Sequence, residues 1–204
     1  MNTKEVKKKY NRFSLIYNLV EWPIEKLLFH RWRKNLLDKI EGKVLEIGIG
    51  TGKNLPYYNF RKVELVGIDI SNKMLEKAQR KVGKNRKKIK LQLIDSERLP
   101  FKNDSFDYIV NTFLLCSVPN QEKMLKEMRR VVKKKGKIIM LEHVLSKNKW
   151  VAFFEHLHNP LTRFLFGINV NRDTMRNIER SGLRVVKEQN LAFYDVFKEL
   201  RVRK

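Results

Sequence analysis

The chain has 204 residues, 42% of them hydrophobic, which suffices for one domain with a sizeable core. Lysine and arginine number 45 against 22 acidic residues, a net charge of +23 that favours polyanions, either nucleic acid or the anionic face of a membrane, unless the excess is only a solvated coat. The single Cys116 excludes an internal disulfide and a cysteine-based metal site, residues 1–10 hold no apolar segment of signal-peptide kind, and no run reaches the ~18 apolar residues of a membrane span, so a cytoplasmic protein, soluble or peripheral, is expected.

Over residues 4–20 the apolar Val6, Tyr10, Phe13, Tyr17 and Val20 recur at helical spacing, with Lys4, Lys7, Lys8, Lys9 and Arg12 around them. The pattern predicts a basic amphipathic helix that lies on an anionic bilayer or packs on its own domain and covers a ligand. Trp22-Pro23 opens a second helix, with Ile24, Leu28, Trp32 and Leu36 on one face, and Glu41-Gly42 ends it.

From Lys43 a buried strand runs through Val44-Leu45-Glu46-Ile47 and breaks into glycines at alternate positions, Gly48, Gly50 and Gly52. Lys53 stands where a dinucleotide fold places its third glycine, so the loop suits a smaller nucleoside ligand. Pro56 restricts the next stretch to a short or displaced turn. A second strand, Val63–Asp69, ends in a carboxylate that can accept from both ribose hydroxyls of an adenosine. Ser71 caps the following helix, which turns Met74, Leu75 and Ala78 inward, and residues 83–88 read as a basic loop. The third strand, 89–94, ends in Asp95-Ser96, where Asp95 could receive the adenine amino group. A fourth strand at 106–111, a helix at 121–132 and a fifth strand at 137–142, entered at Gly136, complete an α/β pattern of mainly parallel strands with right-handed crossovers.

Residues 146–170 are the most aromatic segment: Trp150, Phe153, Phe154, Leu157, Leu161, Phe164, Leu165 and Phe166, with His156 and His158 among them. The segment is expected either to hang over the carboxyl edge of the sheet as a lid for an apolar or amphiphilic acceptor, or to form a helical pair packed on the N-terminal helices.

Glu46-Ile47-Gly48-Ile49-Gly50-Thr51-Gly52, Asp69, Asp95-Ser96-Glu97-Arg98-Leu99-Pro100-Phe101, Ser105-Phe106-Asp107 and the run from Arg130 to Gly136 resemble, in order, the motifs of class I S-adenosylmethionine (SAM) dependent methyltransferases. The resemblance runs over about residues 44–143. It implies a seven-stranded, doubly wound, mostly parallel Rossmann-like sheet with its last strand antiparallel, 184–188 and 196–202 being the final pair. It also implies one domain, 1–204, divided into an N-terminal helical cap (1–40), a SAM-binding core (43–143), an aromatic lid (146–170) and a C-terminal helix with strands (171–204). SAM is then the cofactor, held by Glu46, Gly48, Gly50, Thr51, Gly52, Asp69, Ile70, Met74, Asp95, Ser96 and Asn111.

Within the class, the stretch from Tyr10 to Asn18 before the glycine loop and Lys53-Asn54-Leu55-Pro56-Tyr57-Tyr58 after it resembles bacterial phosphatidylethanolamine N-methyltransferases, and quinone C-methyltransferases share the opening more loosely. Leu114-Leu115-Cys116-Ser117-Val118, Leu141-Glu142-His143-Val144, Asn159-Pro160 and Asn171-Arg172 are similar to membrane-associated thiol methyltransferases of animals. All three act on lipophilic or amphiphilic acceptors, so the resemblance implies a lipid-like acceptor, first the amine of phosphatidylethanolamine, with peripheral contact to an anionic membrane. A small thiol or quinol is the alternative. A nucleic-acid acceptor is the other class, although Asn111-Thr112-Phe113-Leu114 stands where an Asn-Pro-Pro-Tyr-type motif would be and no RNA-binding domain is appended.

Methyl transfer is an in-line displacement for which the protein supplies alignment, and a base where an amine must lose its proton. Candidates are His143, just past the fifth strand, and Tyr10 and Tyr17, whose rings or hydroxyls could face a sulfonium. Cys116 reads as a small buried residue. Four histidines without an i, i+4 pair and an acid build no zinc centre, so no metal is expected.

Overall fold

The computed structural model describes residues 2–13 and 28–204; Tyr17 and Val20 of the first expected helix, and Trp22, Pro23 and Ile24 of the second, lie outside the described residues. The elements are α1 (Thr3–Phe13), α2 (His30–Leu37), β1 (Gly42–Ile47), β2 (Val63–Asp69), α3 (Asn72–Lys81), β3 (Ile89–Leu93), β4 (Phe106–Thr112), α4 (Gln121–Val131), β5 (Val132–His143), α5 (Lys149–Phe166), α6 (Thr174–Arg180), β6 (Arg184–Ala192) and β7 (Phe197–Arg203). The strands form one seven-stranded sheet in the order β3-β2-β1-β4-β5-β7-β6. Neighbours from β3 to β5 are parallel, and β7 runs antiparallel to both β5 and β6. This is the α/β architecture expected from the alternation of strands and helices.

Strand alternation builds a core on each face. Leu45 and Ile47 of β1 join Met124, Leu125 and Met128 of α4 and Ile178 of α6. Val44 and Ile49 join Leu36 and Leu37 of α2, Leu55, and Leu75 of α3. A parallel strand covered on both faces tolerates few polar side chains, so the buried one in β1, Glu46, requires partners. Its Oε1 accepts from Asn54 Nδ2 and its Oε2 from Tyr58 Oη, each at 2.9 Å.

The local signals hold where they rest on backbone chemistry. Ser71 caps α3 by accepting from the Met74 amide at 3.2 Å, and Asn120 caps α4 by accepting from the Lys123 amide at 2.9 Å. Pro56 stands in a single turn of 3₁₀ helix, Leu55–Tyr57. Residues 83–88 also form 3₁₀ turns rather than an open loop. The fifth strand begins earlier than Gly136: Val132 pairs with Phe106, the register then shifts, and Lys137 pairs with Tyr108.

Candidate functional site

At the centre of the sheet, β1 connects outward to β2 while β4 connects outward to β5, which opens a crevice beyond their carboxyl ends. Gly48, Gly50, Asp69, Ile70 and Met74 line one side of it, Ile94, Asp95 and Ser96 a second, and Thr112, Phe113, Leu114, Ser117, Val118 and Pro119 a third. Thr3, Val6 and Tyr10 of α1 close it over. Val6 is 3% exposed, so the apolar face of the basic first helix is spent inside the protein, over the crevice.

The glycine loop leaves room for a ligand. Gly50 has φ 55°, and a Cβ built on it meets nothing nearer than the Gly48 carbonyl oxygen at 3.9 Å. Gly48 serves another purpose: its missing Cβ would lie 2.6 Å from Leu114 Cδ1, so the glycine lets the loop after β4 pack against the loop after β1.

Asp69 ties the loop to the end of β2. Its Oδ2 accepts from the Gly50 amide at 2.9 Å and its Oδ1 from the Ser71 amide at 2.8 Å. Burial pushes its carboxyl up to about 6 against the pull of these amides. Each carboxylate oxygen carries two lone pairs, so both retain acceptor capacity for hydroxyls of a ribose. Asp95 stands at the neighbouring strand end, its Oδ1 accepting from the Glu97 amide at 2.9 Å. A glycine wall, one carboxylate for two hydroxyls and a second for an amino group form a donor-accepting set that fits the adenosine part of SAM.

The loop after β4 is organised by Glu142. This fully buried carboxyl accepts from Asn111 Nδ2 at 2.5 Å and from the Leu114 and Leu115 amides at 3.0 and 3.3 Å. Burial pushes it up to about 7 in spite of these donors. Phe113, inside the span that Glu142 holds, has φ 53° and donates its amide to the Leu141 carbonyl at 2.7 Å. A non-glycine residue at such φ is strained, and here the strain sits on the crevice wall. A second buried network lies behind the other side of the crevice: Arg33, 3% exposed, donates to Asn54 Oδ1 and Thr112 Oγ1, both at 2.8 Å. Burial pushes the adjoining Glu46 up to about 7.

The structure brings eight of the sequence-predicted site residues to the crevice: Tyr10, Gly48, Gly50, Asp69, Ile70, Met74, Asp95 and Ser96. Glu46, Thr51, Gly52 and Asn111 are not on its wall; Glu46 and Asn111 are buried behind it, holding Asn54 and Tyr58 in one case and Glu142 in the other. His143 is not on the wall either. Its ring stacks edge-on to Phe197 with centroids 5.4 Å apart, its Nε2 lies 3.5 Å from Glu155 Oε1, and burial pushes its imidazole down to about 4. Tyr17 lies outside the described residues. None of the aromatics of 146–170 lines the crevice. Sequence reasoning missed Thr3 and, after β4, Thr112, Phe113, Leu114, Ser117, Val118 and Pro119 as wall residues; the signal available for the latter was their position, directly after the strand beside β1. Among the described residues, no group of three or more His, Cys, Asp or Glu converges on a metal position.

A model of the methyltransferase domain family matches residues 45–140. The demethylmenaquinone methyltransferase of Lactobacillus johnsonii is 31% identical over 180 residues, covering 78% of this chain and 72% of that protein. The phosphatidylethanolamine N-methyltransferase of Cereibacter sphaeroides is 40% identical over 104 residues, 50% of this chain and 51% of that protein, so the chain matches about half the length of that relative. Among solved structures, a SAM-dependent methyltransferase of Thermotoga maritima shares the fold with a TM-score of 0.71 at 21% identity, over 97% of this chain and 99% of that one.

Proposed function

Because the chain belongs to the class I SAM-dependent methyltransferases, we propose that it methylates a lipid-like or amphiphilic acceptor, the amine of phosphatidylethanolamine first. The bound cofactor supplies a methyl group already activated on a sulfonium. The chain's own work is to hold the adenosine through Asp69, Asp95 and the Gly50 wall, and to shape the space beside it. The observation that carries the acceptor reading is the make-up of that space: Val6, Phe113, Leu114, Val118 and Pro119 supply apolar surface, and α1 shields it from water. Such a wall favours an acceptor whose reacting atom is attached to an apolar body. Excluding water also strengthens every polar contact to the cofactor and favours the neutral amine, the form with a lone pair to donate.

Tyr10 is the titratable hydroxyl from α1 on the crevice wall, and we assign it the role of facing the reacting centre. The His143 ring packs on Phe197, which in turn packs on Phe113 of the wall with centroids 5.9 Å apart, and we assign His143 to support of that wall rather than to proton transfer.

The test is transfer of labelled methyl from SAM to phosphatidylethanolamine liposomes, a naphthoquinol, an aliphatic thiol and total RNA, side by side. Label in the lipid supports the reading. Label confined to the quinol or thiol overturns the lipid amine and makes the same apolar wall a pocket for a small hydrophobic molecule, the alternative that the 31% identical quinone relative favours. Label in the RNA alone overturns both.

A further inference from the structure

Helix α5 is amphipathic in the reverse sense for a soluble protein. Trp150, Phe153, Phe154, Leu157, Leu161, Phe164 and Leu165 recur at helical spacing and fall within an arc of about 120°. All seven are exposed, Trp150 by 78% and Phe164 by 76%. The opposite side of the helix faces the protein through polar groups. Glu155 Oε2 accepts from the Ser146 amide at 2.9 Å, Asn159 Oδ1 from the Val170 amide at 3.0 Å, and Thr162 Oγ1 donates to the Ile168 carbonyl at 3.2 Å. The helix is thus docked by hydrogen bonds while its apolar stripe points away from the core.

A second exposed aromatic pair adjoins it. Phe193 and Tyr194, in the turn between β6 and β7, are 65% and 79% exposed and have φ of 50° and 61°. The turn is clamped to the start of α5 by Asp195, which accepts from the Lys147 amide at 2.8 Å and from the Ser146 hydroxyl. Two bulky residues are held in a left-handed conformation, Tyr194 largely in solvent and Phe193 exposed on one side while its ring meets Phe197 at 5.7 Å.

The surroundings of these aromatics are basic. Lys147, Lys149 and Arg163 of the α5 segment are exposed, whereas the one carboxylate of α5, Glu155, is 8% exposed; the adjoining α1 exposes Lys4, Lys8 and Arg12 against one acid, Glu5. Lys9 joins the two helices: its ammonium donates to the Arg163 and Phe164 carbonyls at 2.8 and 2.5 Å. An apolar stripe about 23 Å long, flanked by cations and rich in aromatic rings, has the make-up of a helix lying in the headgroup region of an anionic bilayer. A second copy of the chain fits less well, since a twofold interface on this stripe would bring two basic rims of a +23 chain together.

We propose that α5 and the Phe193-Tyr194 turn form the surface by which this protein docks on anionic lipid, in place of α1, whose apolar face is occupied over the crevice. The proposal gives the lipid-acceptor reading a place to meet its substrate and rests on that reading for its purpose, but not for its test. Full-length protein is sedimented with vesicles of phosphatidylcholine, with and without phosphatidylglycerol, so that no phosphatidylethanolamine is present and binding is read without chemistry. Binding to the anionic vesicles is expected, with a loss of roughly tenfold or more in partitioning when Trp150→Gln, Phe153→Gln and Leu157→Gln are combined. SAM affinity, and turnover of a monodisperse acceptor, should stay as in the parent chain, which shows that the variant folds. Phe193→Ser with Tyr194→Gly provides an independent variant and should weaken the same binding. The proposal is overturned if the parent chain ignores anionic vesicles, if both variants bind them as well as the parent, or if the parent is a dimer that the triple variant dissociates, which would make the stripe a self-interface. Docking without phosphatidylethanolamine methylation would sink the acceptor reading and leave the surface standing; methylation of dispersed lipid without docking would do the reverse.

Discussion

The two ends of β2 and β5 carry acidic residues of the same environment and opposite employment. Asp69 at the end of β2 and Glu142 near the end of β5 are both raised by burial, and both accept backbone amides. Asp69 remains on the crevice wall, partly buried, whereas Glu142 is fully buried behind it. A shifted carboxyl therefore does not identify a catalytic group by itself; the side of the strand on which it falls decides whether it meets a ligand or holds a loop.

The sharpest way to break this comparison is at the ligand side. Gly50→Val places a β-branched residue at φ 55° and fills the wall, so SAM binding by calorimetry should be lost. Asp69→Ala should weaken SAM by about 3 kcal/mol, near a hundredfold, if two ribose hydroxyls donate to a charged acceptor; intact affinity would remove Asp69 from the site. The same contact sets a pH dependence. Hydroxyl donors favour the ionised carboxylate, so affinity should be full above about pH 6 and fall as the pH drops through that value, and Asp69→Asn should abolish the trend.

On the loop side the readout is stability. Glu142→Ala strands the Asn111 amide and two backbone donors, and should cost about 2 to 4 kcal/mol in denaturant unfolding. Glu142 also gives the sign of a pH effect. Its folded-state value of about 7 exceeds the ordinary 4.5, so its contribution is complete below pH 4.5 and is lost as the pH rises through 7, by on the order of 3 kcal/mol. Glu142→Gln should flatten that decline. His143→Ala should have the smallest effect, with turnover at saturating acceptor within a few fold of the parent; a loss of a hundredfold or more would restore His143 as the base.

Much of the fold was legible because it rests on local rules. The strand alternation, the Ser71 cap and the short turn at Pro56 each follow from the chemistry of a few neighbouring residues, and the strand ends they define carry Gly50, Asp69 and Asp95 to one edge of the sheet. Glu46 and Asn111 were read as cofactor-holding residues, and their side chains turn into buried networks instead of lining the crevice, because a motif names a position in the chain but not the face of the pleat. His143 was chosen for its titration range and its place after β5, and that reasoning had no access to its ring contact with the distant Phe197 or to its place off the crevice wall.

The two amphipathic helices mark the boundary most clearly. Hydrophobic spacing established that α1 has one apolar face, whereas for residues 146–170 the sequence showed only an aromatic-rich segment, read as a lid or a helical pair, which the structure forms as the single helix α5. Tertiary structure decided that the face of α1 turns inward over the cofactor crevice and that the face of α5 turns outward. The periodicity of a helix records an asymmetry between its sides; which side meets the protein depends on the partners supplied by distant segments, here the amides of Ser146 and Val170 that receive the polar side of α5.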